Sequence, residues 1–257
     1  TMFSISTIAS STRMPVTMVM ASRLTRFSEN PAASSAQNAG TIDSGSAAPL
    51  VETLAVNLAL LGLFAAQHSV MARRGFKRWW TKVVPEPVER STYVLAATAA
   101  LALLLWQWRP MAQPVIWSVS DPLGRMVLQG VFWLGWGVLL TSTFLINHFE
   151  LFGLRQVWAN LRGQAIAAPV FRTPFFYRHV RHPIYLGFVL SFWATPHMTA
   201  GHLLFAAACT AYILIGIWFE ERDLVAQFGQ RYRVYREQVG MLLPKMGARH
   251  PKEPTQP

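Results

Sequence analysis

The sequence predicts an all-α, polytopic integral membrane bundle: five transmembrane helices with a C-terminal helical hairpin and an interfacial cytosolic helix. Three observations predict it. Hydrophobic residues fill 52% of the 257 positions and charged residues only 14%, the balance of a membrane protein rather than a water-soluble domain. Several apolar segments reach the ~20 residues that a bilayer-crossing helix needs. The basic residues collect on alternate connections between those segments, as topology rules require. That distribution also gives the net charge of +11 its meaning. It suits anionic lipid, and a nucleic-acid partner is rejected.

Residues 1–49 are rich in Ser, Thr, Ala, Pro and Asn without a sustained apolar period, and are expected to form a disordered extension. Met2, Met14, Met18 and Met20 leave alternative start positions open. The segment is Ser-rich, Arg-bearing and acid-poor, in the manner of a transit peptide, and it lacks the compact apolar core of a cleaved secretory signal. The membrane domain is expected over 50–244, with a disordered tail over 245–257.

Three spans are read at Leu50–Met71, Ser91–Trp108 and Met126–Ile146. The stretch Pro183–Phe219 is too long for one span and is interrupted at Thr195-Pro196-His197 and at Gly201, which predicts a hairpin. Its first arm, Pro183–Thr195, is about 20 Å long at ~1.5 Å per residue. Its second arm is His202–Phe219. Segments 72–90, 147–183 and 220–257 hold eighteen of the 23 Lys and Arg residues, and the other connections hold five. Five spans place the three rich segments on one face. That face is therefore cytoplasmic and the N-terminus is outside. Beyond the hairpin, Val225, Phe228, Tyr232, Tyr235 and Val239 recur at helical spacing over Leu224–Leu243. They predict an interfacial helix, which would also serve as a lid over a site on that face.

Cys209 is the sole cysteine, which excludes an intramolecular disulfide and a cysteine-based metal cluster. No Gly-x-Gly-x-x-Gly occurs, so a soluble dinucleotide-binding fold is excluded. His68, His148 and His182 gather toward one face rather than opposing each other at mid-bilayer, which argues against haem. No metal site is expected.

The chemistry concentrates in the hairpin. Pro183 suits a first helical turn. Arg181 and His182 then sit at a helix start, where dipole and charge favour an anion. Tyr185 lies on the same face as His182, and Gly187 opens space for a ligand or a helix one turn on. The same residues could equally be a basic interfacial anchor. Glu220 and Glu221 are placed at the end of an apolar span, where carboxylates are costly and oppose the helix dipole. Arg222 and the Arg181 region are one set of compensating partners; a ligand ammonium, sulfonium or ribose is the other. Elsewhere, His148 with Asn147 and Glu150 begins a polar run after the third span that could supply a general base, or could simply cap an interfacial turn. His68, beside Gln67, could line a substrate pocket or bond a neighbouring helix. Arg90 and Tyr93 enter the second span on the same side.

Arg-His-Pro-x-Tyr-x-Gly (181–187) followed by Glu-Glu-Arg-Asp-Leu-x-x-x-Phe-Gly-x-x-Tyr-x-x-Tyr (220–235) resembles the integral-membrane methyltransferases, the superfamily of isoprenylcysteine carboxyl and phospholipid methyltransferases. The runs Gln67–Ala72, Phe76–Trp80, Pro85–Tyr93, Trp106–Pro110 and Asn147–Gln156 narrow the resemblance to bacterial methanethiol S-methyltransferases, over about residues 50–244. The resemblance implies S-adenosyl-L-methionine as cofactor, bound by Arg181, His182, Pro183, Tyr185, Leu186, Gly187, Glu220 and Glu221. It also implies a small thiol as substrate, which His148 with Asn147 and Glu150 could orient or deprotonate, and the bacterial inner membrane as location. A lipid, a prenylcysteine or another thiol is the alternative acceptor. A non-catalytic cofactor-handling or transport protein is the alternative from another class.

Overall fold

A computed structural model of the chain describes residues 42–44, 48–165 and 171–245. The remaining positions of the expected N-terminal extension and C-terminal tail lie outside the described residues. Among the described residues, four helices are long and apolar enough to cross a membrane: α1 (Leu50–Ala72), α3 (Glu86–Gln107), α4 (Pro122–Ile146) and α8 (Ala200–Phe228). Between α1 and α3 lies the short α2 (Arg74–Trp80). After α4 come α5 (His148–Leu151) and α6 (Leu154–Leu161), then α7 (Pro183–Trp193) and, at the C-terminal end, α9 (Gln230–Gln238). Two short strands that the sequence did not signal, β1 (Val115–Ser118) and β2 (His197–Thr199), pair antiparallel and tie the α3–α4 connection to the hairpin turn.

Local signals set the helix ends. Asp121 caps α4 by accepting from Gly124 N at 2.7 Å, and Pro122 opens its first turn. Thr199 caps α8, its hydroxyl accepting from His202 N at 3.1 Å. The same hydroxyl donates to the Asp43 carboxylate at 2.7 Å, and Ile42 beside it is buried. This end of the expected disordered extension is thus docked on the bundle. The buried Asn57 exchanges two 2.9 Å bonds with the backbone of Arg109, fixing the far end of α3 to α1.

The hairpin is confirmed and its arms are unequal. The eleven helical residues of α7 cover about 16 Å, and the non-helical residues leading to β2 complete the crossing beside the α3–α4 connection; the 29 residues of α8 span about 43 Å and exceed a bilayer core. The second arm therefore does not stop at Phe219. It runs two further turns, so Glu220 and Glu221 lie inside a helix rather than at its C-terminus. Their cost is desolvation, not opposition to the dipole. The expected helix over Leu224–Leu243 is divided by Gly229, whose φ of 56° only glycine adopts readily. Its apolar stripe does not face lipid alone. Leu224, Tyr232, Tyr235 and Val239 form a buried cluster against Phe171.

The main core joins Leu101, Leu104, Trp136, Leu139, Phe188, Phe192 and Phe205 from α3, α4, α7 and α8. Leu58, Leu95, Leu134 and Ile215 remain exposed on the spans, where lipid would cover them. Helices α4 and α7 meet at glycines. A Cβ on Gly187 would stand 2.5 Å from Gly135 O, and one on Gly135 would stand 2.7 Å from Gly187 O. The space that Gly187 opens is filled by a helix, not left to a ligand.

Candidate functional site

Helix α7 starts at Pro183 with His182 as its N-cap, as the sequence predicts. The side chains around that start converge on α8. Arg181 Nε donates to Glu221 Oε1 at 2.7 Å, and His182 Nε2 lies 3.2 Å from the same oxygen. Tyr185 donates its hydroxyl to Glu220 Oε2 at 3.1 Å, with His182 Nδ1 3.9 Å from that oxygen. Arg236 from α9 adds a contact of 3.8 Å to Glu221 Oε2. Arg181 and Glu221 thus compensate each other, while Glu220, only 3% exposed, accepts from the Tyr185 phenol. Pro183 is buried in the first turn, and Leu186 is half-buried with its amide bonded to His182 O.

The C-terminal segment straps this cluster. Arg181 N donates to Gly240 O at 2.8 Å and His182 N to Met241 O at 3.1 Å. The Arg181 guanidinium also donates to Arg236 O, at 2.9 Å, and to Val239 O. Tyr235 donates to Tyr177 O at 2.5 Å. Two buried polar atoms beside the carboxylates lack a hydrogen-bond partner among the described residues: Tyr232 Oη and His182 Nδ1. Burial, then the negative charges of Glu221 and Glu220, push the Tyr232 phenol far above its ordinary value. It therefore stays protonated as an available donor.

Glu220 also walls a cleft of about 360 Å³ between α1–α2 and α8, lined by His68, Ser69, Ala72, Arg73, Arg74, Gly75, Tyr212, Ile215, Gly216, Phe219, Glu220 and Asp223. His68 is 1% exposed, and the Tyr93 hydroxyl lies 2.9 Å from each of its ring nitrogens. The Ser69 and Tyr212 hydroxyls are 2.9 Å apart. The structure thus brings His68 and Glu220, 152 positions apart in the chain, to one cleft.

Ser69, Arg73, Arg74, Tyr212 and Asp223 were not singled out by the sequence reading. A signal did exist on α8. Tyr212, Gly216, Phe219, Glu220 and Asp223 follow at steps of four, three, one and three, which is one helical face. Hydropathy hides it, because Tyr and Gly pass as ordinary span residues.

His148, Asn147 and Glu150 are placed elsewhere. His148 Nδ1 is 2.9 Å from Thr143 Oγ1, and its ring stacks on Phe144 at 4.2 Å and tilts against Phe152 at 4.6 Å. Burial lowers its pKa, keeping the ring neutral near pH 7. Asn147, at φ 144°, donates to Glu150 Oε2 at 2.8 Å and accepts from Glu150 N at 3.3 Å; Arg155 pairs with the same carboxylate oxygen at 2.9 Å. None of the three lines the cleft. Arg90 reaches this turn instead, donating Nε to Leu151 O at 2.8 Å. We expect His148→Ala to lower thermal stability, while leaving affinity for S-adenosylhomocysteine within about twofold in calorimetric titration.

Fold and site together define a polytopic membrane protein with a buried carboxylate shared between a basic helix start and a polar cleft. The NnrU protein family model matches residues 56–244, and the chain belongs to that family. It is 61% identical over 204 residues to the methanethiol S-methyltransferase of Mycobacterium tuberculosis, covering 79% of this chain and 83% of the relative. It is 56% identical over 204 residues to methanethiol S-methyltransferase 1 of Bradyrhizobium diazoefficiens, covering 79% and 71%. Nurim of Sus scrofa is more distant, 30% identical over 181 residues, covering 66% and 68%. No solved structure matches the chain significantly.

Proposed function

We propose that the protein methylates methanethiol to dimethyl sulfide, with S-adenosyl-L-methionine as donor, at the cytoplasmic face of a bacterial inner membrane. The N-terminus is outside and the C-terminus inside. The observation that carries this reading is Glu220, buried between Tyr185 on α7 and the cleft that reaches His68. The relatives support it through their printed activity, and the Lys and Arg distribution supports the orientation.

The residues present suit the donor. It carries an ammonium and a sulfonium, a carboxylate and ribose hydroxyls. The cluster offers a buried carboxylate, a protonated orphan phenol and an orphan imidazole nitrogen. Glu220, Tyr232 and His182 would hold it. Arg181 and Glu221 would stiffen those groups from behind, because they are engaged with each other. When bound, the donor supplies an electrophilic methyl group on a sulfonium sulfur. The bundle excludes water and aligns the thiol with that methyl. His68, oriented by Tyr93, holds the proton that the thiol releases.

Purified protein in lipid nanodiscs, given methanethiol and methyl-labelled donor, should release labelled dimethyl sulfide. Label appearing only in a lipid or prenylcysteine acceptor would overturn the assignment of the acceptor. A second expectation concerns Tyr232. An unpartnered buried hydroxyl costs stability, so Tyr232→Phe should raise the unfolding temperature of the ligand-free protein, by up to about 1 kcal/mol of stability. The same change should weaken S-adenosylhomocysteine binding about tenfold. A change of the same sign in both measurements would contradict a binding role for the phenol.

A further inference from the structure

The cleft is too large for its proposed acceptor alone. Methanethiol has two heavy atoms and needs no more room than two or three waters, roughly 60–90 Å³ at ~30 Å³ each. The cleft holds about 360 Å³. Its walls also change character along their length. Tyr212 to Asp223 covers about 16 Å of α8 at ~1.5 Å per residue, and the facing wall runs from His68 to Arg74. Both walls begin with hydroxyl and imidazole groups, His68 and Ser69 opposite Tyr212. Both end charged, Arg73 and Arg74 opposite Glu220 and Asp223. One ligand therefore meets two signs of charge at the outer end and hydroxyl and imidazole groups at the inner end.

We propose that Arg73 and Arg74 bind the carboxylate, and Asp223 the ammonium, of the amino-acid arm of S-adenosyl-L-methionine, in the outer half of this cleft. This rests on the donor assignment above; it adds Arg73 and Arg74, outside both motifs, and gives a role to Asp223, which the 220–235 motif contains. Guanidinium groups match a carboxylate in charge and fork geometry. Arg73 is placed rather than loose, its guanidinium lying 4.3 Å over the Phe219 ring in the same cleft. An anionic lipid headgroup would meet Glu220 and Asp223 in the same wall and be repelled by them. A zwitterion satisfies both signs.

Calorimetric titration of the full chain in detergent tests this with two probes. S-adenosylhomocysteine carries the amino-acid arm; 5′-methylthioadenosine lacks it. The wild-type protein should bind both. Arg73→Gln/Arg74→Gln should weaken S-adenosylhomocysteine about 30-fold or more, in the range of charge-assisted hydrogen bonds, and leave methylthioadenosine within about twofold. Asp223→Asn should follow the same pattern, and Arg74→Lys, which keeps the charge but not the fork, should weaken S-adenosylhomocysteine less than Arg74→Gln does without restoring full affinity. Equal weakening of both probes would show a structural effect and overturn the proposal. Unchanged affinity for both would assign the two arginines to the bilayer and overturn it as well. Failure of the wild-type protein to bind either probe would refute the donor assignment itself, an outcome distinct from the other two.

Discussion

Glu220→Gln should reduce affinity for S-adenosylhomocysteine about 100-fold and bring methyl transfer below detection. The substitution keeps shape and removes charge from a side chain that is 3% exposed and bonded to Tyr185 at 3.1 Å. A charged hydrogen-bonding group contributes about 1.5–3 kcal/mol where water is excluded, and this one would meet the ligand directly. The neighbouring Glu221→Gln should fail differently. Glu221 bonds Arg181 at 2.7 Å, and the same arginine caps two carbonyls of the C-terminal strap. Neutralising Glu221 leaves a guanidinium that is 8% exposed without its countercharge, at a cost on the order of 3 kcal/mol of stability. Titration and thermal unfolding of both variants would separate the roles. Equal loss of affinity at unchanged stability for the two would remove the distinction drawn here.

Gly187→Ala should destabilise the bundle by about 1–3 kcal/mol, and Gly187→Leu should prevent recovery of monodisperse protein. The added Cβ meets Gly135 O at 2.5 Å, Leu139 Cβ at 2.8 Å and Leu139 N at 2.9 Å. All three groups belong to packed helices, so nothing flexible can yield. Gly137→Ala, on the same α4 with nothing within 4 Å of the added carbon, serves as the control and should be neutral. An unfolding temperature for Gly187→Ala equal to that of the control would contradict the close α4–α7 approach. The loss should precede any effect on ligand affinity, because Gly187 touches a helix and not the cleft.

Much of the framework was legible in the sequence. The break at Thr195-Pro196-His197, the proline opening α7 and the pairing of the motif with Glu220-Glu221 all follow from local chemistry, and each stands in the structure. Boundaries were less legible. Hydropathy falls at Glu220, so the second arm was ended at Phe219, yet the helix continues because Leu224 and Phe228 still find packing partners. The Tyr232–Tyr235 stripe has the period of a membrane-surface helix. Periodicity cannot tell a lipid partner from Phe171 and Leu224, and the fold supplies those residues.

The candidate site divides in the same way. Arg181, His182, Tyr185, Glu220 and Glu221 could be named from one contiguous motif and its partner, since hairpin topology alone returns both ends to one face. His148 looked equivalent to His68 in sequence, each a histidine at a span end. Only the fold sets them apart, turning His148 into a box of Phe144 and Phe152 and His68 toward Tyr93 and Tyr212.

The sequence by itself determined a basic-flanked membrane bundle, its hairpin and the charged pair at the hairpin's open end. These follow from hydropathy, helix-terminating residues and the cost of burying charge, which are local properties. The tertiary structure decided that Arg181 and Glu221 satisfy each other while Glu220 also faces a cleft, and that Gly187 serves a helix contact. It also brought Arg73, Arg74, Tyr212 and Asp223 into one cleft with His68. Those outcomes depend on which helix faces pack together, and side chains far apart in the chain make that choice jointly.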